Sequence, residues 1–329
     1  MASEESEPKS PDRVSELLLS AARQIGQQVG VQAILVYADA FRDYEAIGRF
    51  LEQAQDLKVI VATRDVEACH ACKSLGMLTV TVPDVHLTRV GRIKVAILMA
   101  FSRGLLHRGD RVLCLSGIAG SGMLDALFVT EVGEEFELFE ANGAENIPQS
   151  VRTEVFERVI DLAMALGIEG REGRPVGATF VLGDTENVLH HAEQLILNPF
   201  HGYPEDERNI LDPRLTETIK EFSAVDGAFI IRKDGIVETA GCFLRSPVPG
   251  QPLPRGLGAR HKSAAAITAV SDAVAVTVSE STGNVTVLAG GRILFEIDKP
   301  RAFAPRPRAS QLPYEQAGDE AGGHALPEI

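Results

Sequence analysis

"GLGARHKSAAAITAVSDA" spans Gly256 to Ala273. Its centre reads as a helix: Ser263 to Val270 holds four alanines and an isoleucine, with no glycine or proline inside. Three basic residues, Arg260, His261 and Lys262, crowd the start of that helix. A helix N-terminus carries partial positive charge, so a cation there is unfavourable by roughly 0.3–1 kcal/mol. A bound anion would offset that cost. The unpaired N–H groups of a helix start make a natural phosphate site. Gly256 and Gly258, just before it, let a ligand approach the backbone closely. Arg260 adds a planar fork for phosphate oxygens, and His261 and Lys262 add donors. A polyphosphate is the simplest occupant. Three solvated cations on a surface loop are the bland alternative.

The bulk composition narrows the field. The chain has 329 residues, 45% of them hydrophobic, enough for two sizeable cores. A net charge of -14 argues against a broad basic face for duplex DNA. Tryptophan is absent and aromatic residues make up 5%, which disfavours base-stacking platforms. The four cysteines, Cys69, Cys72, Cys114 and Cys242, form no disulfide framework, and the setting this implies is a reducing cytoplasm. Cys69 and Cys72 have CxxC spacing without a second ligand pair, so they are expected to share one face of a helix. No stretch approaches the roughly 18 apolar residues of a membrane span. The polar start, residues 1–13, reads as a disordered leader, and residues 299–329, which include five prolines, as a disordered tail.

Between these ends the pattern predicts two domains. Over residues 14–146 short apolar runs such as "AILVYA", "KVIVATR" and "LTVTV" alternate with helical stretches, which implies an α/β domain with a parallel sheet. "ANGAENIPQS", Ala141 to Ser150, marks the boundary. Residues 147–298 read as a second α/β domain with a mixed central sheet. "VRTEVFERVIDLAMALGIEG", "ENVLHHAEQLIL" and "RLTETIKEFSAV" are its predicted helices. Lys233-Asp234-Gly235 turns a predicted hairpin, and further strands follow Asp272.

Two more short stretches carry possible chemistry. In "VDGAF" the acidic Asp226 lies between apolar runs, where burial is costly unless the group is paired or bound to metal. Gly227 and Ala228 leave room at its shoulder. Its carboxylate could hold a divalent cation or accept a hydroxyl proton. In "VSESTG" Ser279 could donate to phosphate, and Glu280 could complete a metal site with Asp226. Each stretch alone reads more simply as a turn or strand exit. Together with the basic helix start they supply the parts of phosphoryl or nucleotidyl transfer, where positioning and charge neutralisation do most of the catalysis. No Walker loop is present; "GIAGSG", Gly117 to Gly122, lacks the lysine and is a weak phosphate-loop signal.

"DGA" at Asp226–Ala228, "GARHKSA" at Gly258–Ala264 and "VSESTG" resemble the motifs of the diadenylate cyclase (DAC) domain. "FVLGDTENVL", "LILNPFHGY" and "RNILDP" resemble its archaeal-type branch, in which the cyclase domain follows a domain similar to the C-terminal domain of pyruvate kinase. The resemblance implies a DAC-type fold and an enzyme, a nucleotidyltransferase that condenses two ATP into cyclic di-AMP and two pyrophosphates across a pair of facing cyclase domains. Self-association follows from that, as do an ATP substrate and a divalent metal, Mn²⁺ or Mg²⁺. Asp226 would bind metal and help deprotonate the 3′-hydroxyl, with Glu280 as metal partner. Gly227 and Ala228 would line the sugar and α-phosphate, and Leu244 would lie against the adenine with its backbone reading the base. Gly258, Arg260, His261, Lys262, Ser263 and Ser279 would hold the nucleotide. Lys262 stands where the family usually has Arg, and Ala259 where many relatives have Thr. Neither a DNA partner nor a membrane is expected. A non-catalytic ATP or cyclic-dinucleotide sensor on the same fold is the competing reading.

Overall fold

The structure is a computed structural model. It describes residues 13–41, 45–54, 56–74, 76–85, 87–133, 151–170, 175–245 and 257–299. The expected leader and tail therefore lie almost wholly outside the described residues, as does the expected domain boundary; Arg13 already opens the first helix.

Two sheets organise the chain. The first contains β1 (Ala33–Tyr37), β2 (Val59–Thr63), β3 (Leu78–Thr81), β4 (Arg111–Gly117) and β5 (Leu124–Glu131) in the order β3-β2-β1-β4-β5. Helices α1 (Arg13–Val29), α2 (Glu45–Gln53), α3 (Val66–Ser74) and α4 (Arg89–Ser102) accompany it. β1 is buried along its whole length, as a central strand covered on both faces must be. Its alternate residues divide between two cores: Ala33, Leu35 and Tyr37 meet α4, while Ile34 and Val36 join Leu19 and Ala22 of α1. The sequence predicts a parallel sheet. β1 to β4 obey that, but β5 runs antiparallel to β4, because the glycine-bearing turn after Gly117 reverses the chain with no helix between.

The second sheet contains β6 (Ala178–Leu182), β7 (Ala192–Gln194), β8 (Ala228–Ile231), β9 (Val237–Leu244), β10 (Val274–Val278), β11 (Val285–Ala289) and β12 (Arg292–Ile297). Their order is β12-β11-β10-β6-β8-β9-β7, and β6 and β8 are its parallel pair. Helices α5 (Thr153–Ile168), α6 (Thr185–His190), α7 (Leu215–Phe222) and α8 (Ala259–Ala269) pack around it. One predicted helix is corrected. "ENVLHHAEQLIL" is helical only to His190, and Ala192–Gln194 is an edge strand on β9. Pairing with β9, continued by Leu195 N–H donating to Gly241 O, outweighs a weak local helix preference.

α4 joins the two sheets. Phe101 packs on Phe295 with ring centres 5.3 Å apart, and Arg103 makes a two-point ion pair with Glu157 of α5. One apolar cluster runs through both halves at this contact. Cys69 and Cys72 lie buried on α3, on one face as their spacing predicts. Among the described residues no helix is long and apolar enough to cross a membrane, and no group of three or more His, Cys, Asp or Glu side chains is placed to hold a metal ion.

Candidate functional site

Topology brings the candidate residues together. β6 and β8 are parallel, with Phe180 opposite Phe229, so both start at the same end of the sheet. β10 runs against β6, with Val278 opposite Ala178, so it finishes there. Asp226 precedes β8, Glu280 follows β10, and α8 starts beside them. The Arg260 guanidinium spans the gap: Nη1 donates to Glu280 Oε2 at 2.9 Å and Nη2 to Asp226 Oδ1 at 3.3 Å. Asp226 is 91% exposed and Glu280 69%. Pairs this exposed contribute at most about 1 kcal/mol, so a ligand of higher charge can displace them. Although apolar runs flank it in sequence, Asp226 is not buried: it stands on the turn ahead of β8, exposed and paired with Arg260.

The glycine after it has a different task from the one expected. Gly227 adopts φ +116, and a Cβ there would lie 2.5 Å from the Gly241 carbonyl carbon. Its shoulder is filled by β9 rather than open to a ligand. That close backbone contact fixes the direction in which Asp226 leaves the sheet. Ala228 turns its side chain into the core and pairs with Cys242 of β9.

α8 begins four residues earlier than the sequence predicts, at Ala259, with Gly258 as an extended N-cap that has no side chain to cap the first turn. Its basic residues do not act as one cluster. Arg260 points to the two carboxylates and Lys262 is exposed. His261 is buried, its Nε2 is 3.1 Å from Thr286 Oγ1 on β11, and burial lowers its pKa. This corrects its placement among the phosphate ligands: successive helical residues diverge by about 100°, so the one between Arg260 and Lys262 faces the sheet. Ser263 is corrected too, since its hydroxyl donates to Arg260 O at 3.0 Å and its proton is spent on the helix.

Ser279 lies beside Glu280 and accepts from Thr282 N–H at 3.3 Å, within a turn that Gly283 N–H closes on Ser279 O. Leu244 ends β9 with its side chain in the core, which leaves its main chain for the expected reading of a base. Leu195 N–H donates to Gly241 O and Arg245 N–H to His191 O, and the alternation of an antiparallel ladder then directs the Leu244 main-chain groups away from β7.

Gly177, just ahead of β6, escapes the sequence reading. A Cβ on it would fall 2.6 Å from Arg260 Nη1 and 3.0 Å from Glu280 Cβ. No sequence signal separates it from the other loop glycines; only the fold shows that the guanidinium lies on it.

What the geometry defines is an α/β protein with an uncapped cationic helix start beside two exposed carboxylates. Residues 165–293 match the family described as "DisA bacterial checkpoint controller nucleotide-binding", and residues 15–139 the family described as "Probable sensor domain DacZ_P". A diadenylate cyclase of Methanocaldococcus jannaschii is 32% identical over 88% of this chain and 98% of its own. One from Haloferax volcanii is 36% identical over 64% of this chain and 76% of its own. Among solved structures, DacA from Staphylococcus aureus aligns with 44% of this chain and 86% of its own, at 22% identity and TM-score 0.28. The chain belongs to the diadenylate cyclase family of enzymes.

Proposed function

We propose that this chain condenses two ATP molecules into cyclic di-AMP and two pyrophosphates, using a cyclase domain of residues 147–298 that follows a separate domain of residues 14–146. The observation that carries the reading is the bridge from Arg260 to Asp226 and Glu280 at the start of α8. A triphosphate entering there meets the helix N-terminus, Lys262 and a guanidinium already aimed into the site. Ser279, at the neighbouring turn, is a further donor for its oxygens, and the Leu244 main chain is positioned to read the base.

In each half-reaction the 3′-oxygen of one ATP forms a bond to the α-phosphorus of the other, and the bond to pyrophosphate breaks. The Asp226 carboxylate, exposed at the mouth of the site, accepts the hydroxyl proton. Arg260 moves from the carboxylates to the phosphates and steadies the negative charge that gathers on the leaving group. Glu280 and Asp226 would suit a hard divalent cation, Mn²⁺ or Mg²⁺, since both are exposed oxygen donors bridged by one guanidinium. Such an ion, when bound, neutralises phosphate charge. Each site holds one nucleotide, so a second copy must face it for the ring to close.

The test is incubation with ATP and Mn²⁺ or Mg²⁺, separation of products, and sizing in solution. Cyclic di-AMP from a self-associated protein supports the reading. ATP bound without turnover supports the sensor instead.

A further inference from the structure

Asn284 stands at the foot of the turn that presents Glu280, and its main chain and side chain work in opposite directions. Asn284 O accepts from Ser279 N–H at 2.9 Å, and its N–H donates to Thr282 Oγ1 at 3.2 Å, so the main chain closes the turn. The side chain reaches the other way. Nδ2 donates to Glu296 Oε1 at 3.2 Å and to Asp298 Oδ1 at 3.1 Å, and Oδ1 accepts from Lys299 N–H at 3.1 Å. Register explains the reach: Val285 lies opposite Val278 on β10 and opposite Ile297 on β12, so Asn284 sits between the turn and the end of β12.

One more contact carries this chain of bonds to the first sheet. Lys94 Nζ, on α4, donates to Asp298 Oδ2 at 3.1 Å, so each oxygen of Asp298 is held from a different side. A second link is steric. A Cβ on Gly167 of α5 would stand 2.2 Å from Gly283 O, and one on Gly283, where φ is +74, would stand 2.3 Å from Gly167 O. The turn therefore lies backbone to backbone on α5, which Glu157 joins to Arg103 of α4. Both supports of the turn lead back to α4.

The site needs such support. Glu280 is exposed and paired with Arg260, the group that a phosphate draws away. Once Arg260 leaves, the direction of Glu280 depends on the main chain beneath it. Exposed turns are ordinarily mobile, and a misplacement of about 1 Å can cost a hundredfold in rate. We propose that Asn284 is a positioning residue for the reaction: it fixes the turn that presents Ser279 and Glu280, and through Asp298 it ties that turn to Lys94, so the seating of α4 bears on the site. The proposal rests on the reading of Glu280 as a metal carboxylate.

The test compares the full chain with Asn284→Ala, Lys94→Met and Lys94→Arg. Two of its measurements need no turnover. Amide hydrogen exchange reports opening of residues 279–284. Loss of the free Mn²⁺ electron paramagnetic resonance signal reports metal binding in the presence of 3′-deoxy-ATP, which lacks the reacting hydroxyl. Lys94→Met is expected to speed exchange in the turn about two- to fivefold, the size of one partly exposed ion pair, and Lys94→Arg to restore the parent's rate. Asn284→Ala deletes three hydrogen bonds and should speed exchange at least about tenfold. Both Asn284→Ala and Lys94→Met should weaken Mn²⁺ binding, and Lys94→Met decides the matter if Asn284→Ala does not fold. A merely structural role would lower the melting temperature and leave Mn²⁺ affinity as it is. That result overturns the proposal, as does parent-like exchange in Lys94→Met or a parent that binds no Mn²⁺. A parent that forms no cyclic di-AMP from ATP overturns the cyclase reading instead, and the exchange and binding comparisons still judge Asn284.

Discussion

The Arg260 guanidinium lies directly on Gly177: a methyl group at residue 177 would stand 2.6 Å from Nη1 and 2.9 Å from Cζ. Both are far atoms of a flexible side chain, so the chain can absorb the change by swinging Arg260 away. Gly177→Ala should therefore leave the melting temperature close to that of the parent while misplacing the group that meets the phosphates. A displacement of this size typically lowers turnover roughly tenfold to a hundredfold. Unchanged synthesis of cyclic di-AMP by a folded Gly177→Ala protein would contradict the placing of Arg260 in the site.

Asp226→Asn and Glu280→Gln separate charge from shape. Both side chains are exposed, so neither change should move stability by more than about 0.5 kcal/mol. Loss of the base should cut turnover in Asp226→Asn about 10²–10⁴-fold. Each substitution also releases Arg260 from a competing carboxylate, so metal-free ATP binding should hold or tighten. Equilibrium binding beside the product assay checks both expectations. A large loss of ATP affinity in Asp226→Asn would assign the carboxylate to binding instead of proton transfer.

The strands were the most legible part of the sequence, because runs such as "AILVY" and "VAVTV" are buried on both faces and their composition says so. The cationic helix start was legible as well, since cations at that end of a helix contradict its dipole. What could not be read was direction. His261 sits between two outward cations in sequence, yet helical rotation turns it toward Thr286. Asp226 looks trapped between apolar runs, but the turn at Gly227 carries it into solvent. β7 was hidden because its partner, β9, lies some fifty residues later, with Ala192 opposite Leu244, and local propensity does not see that pairing. Gly177 was invisible for the same reason: its demand comes from Arg260, far along the chain.

His261 gives the fold a pH dependence. Its pKa is lowered by burial, so the unfolded chain binds a proton that the folded one rejects. The stability it allows is complete above the ordinary histidine value of about 6.5 and is lost as pH falls toward the depressed one. Asp161, pushed up to about 6 by burial, works in the opposite sense, since the folded state takes up a proton there. Comparing the parent with His261→Gln cancels that contribution. The parent's advantage over the variant should shrink between pH 7 and pH 5. Melting curves with a constant gap over that range would show that the imidazole is not held neutral.

Self-association should involve the free edge of the second sheet. Leu197 is 94% exposed, and Leu195, Ile196, Tyr203 and Phe243 are exposed around the β7–β9 edge. An apolar cluster of this kind is a usual sign of an interface. A second copy is its expected occupant, because closing the cyclic product needs two nucleotides. Leu197→Lys should shift the protein toward monomer in sedimentation and lower synthesis in proportion, with ATP binding by each chain preserved. A fully active monomer would refute both the interface and the need for two facing sites.

Arg103 ties the two sheets together. Its Nε and Nη2 donate to the Glu157 carboxylate at 2.6 and 2.9 Å, and Nη1 donates to Thr79 O at 3.0 Å, so one side chain links β3, α4 and α5. The Glu157 contact holds the guanidinium charged, its pKa raised against the opposing effect of burial. Hydrogen bonds to charged groups contribute about 1.5–3 kcal/mol, so Arg103→Met, which also leaves Glu157 and Thr79 O unpartnered, should destabilise the chain by roughly that much. Glu157→Gln should cost less, because the amide oxygen still accepts one N–H and Arg103 keeps Thr79. The double variant should cost less than the sum of the singles, since the two residues share one interaction. Urea unfolding of the four proteins measures all three differences. Strict additivity, or a larger loss in Glu157→Gln than in Arg103→Met, would mean that the sheets are held by their shared apolar packing, with the ion pair as a bystander.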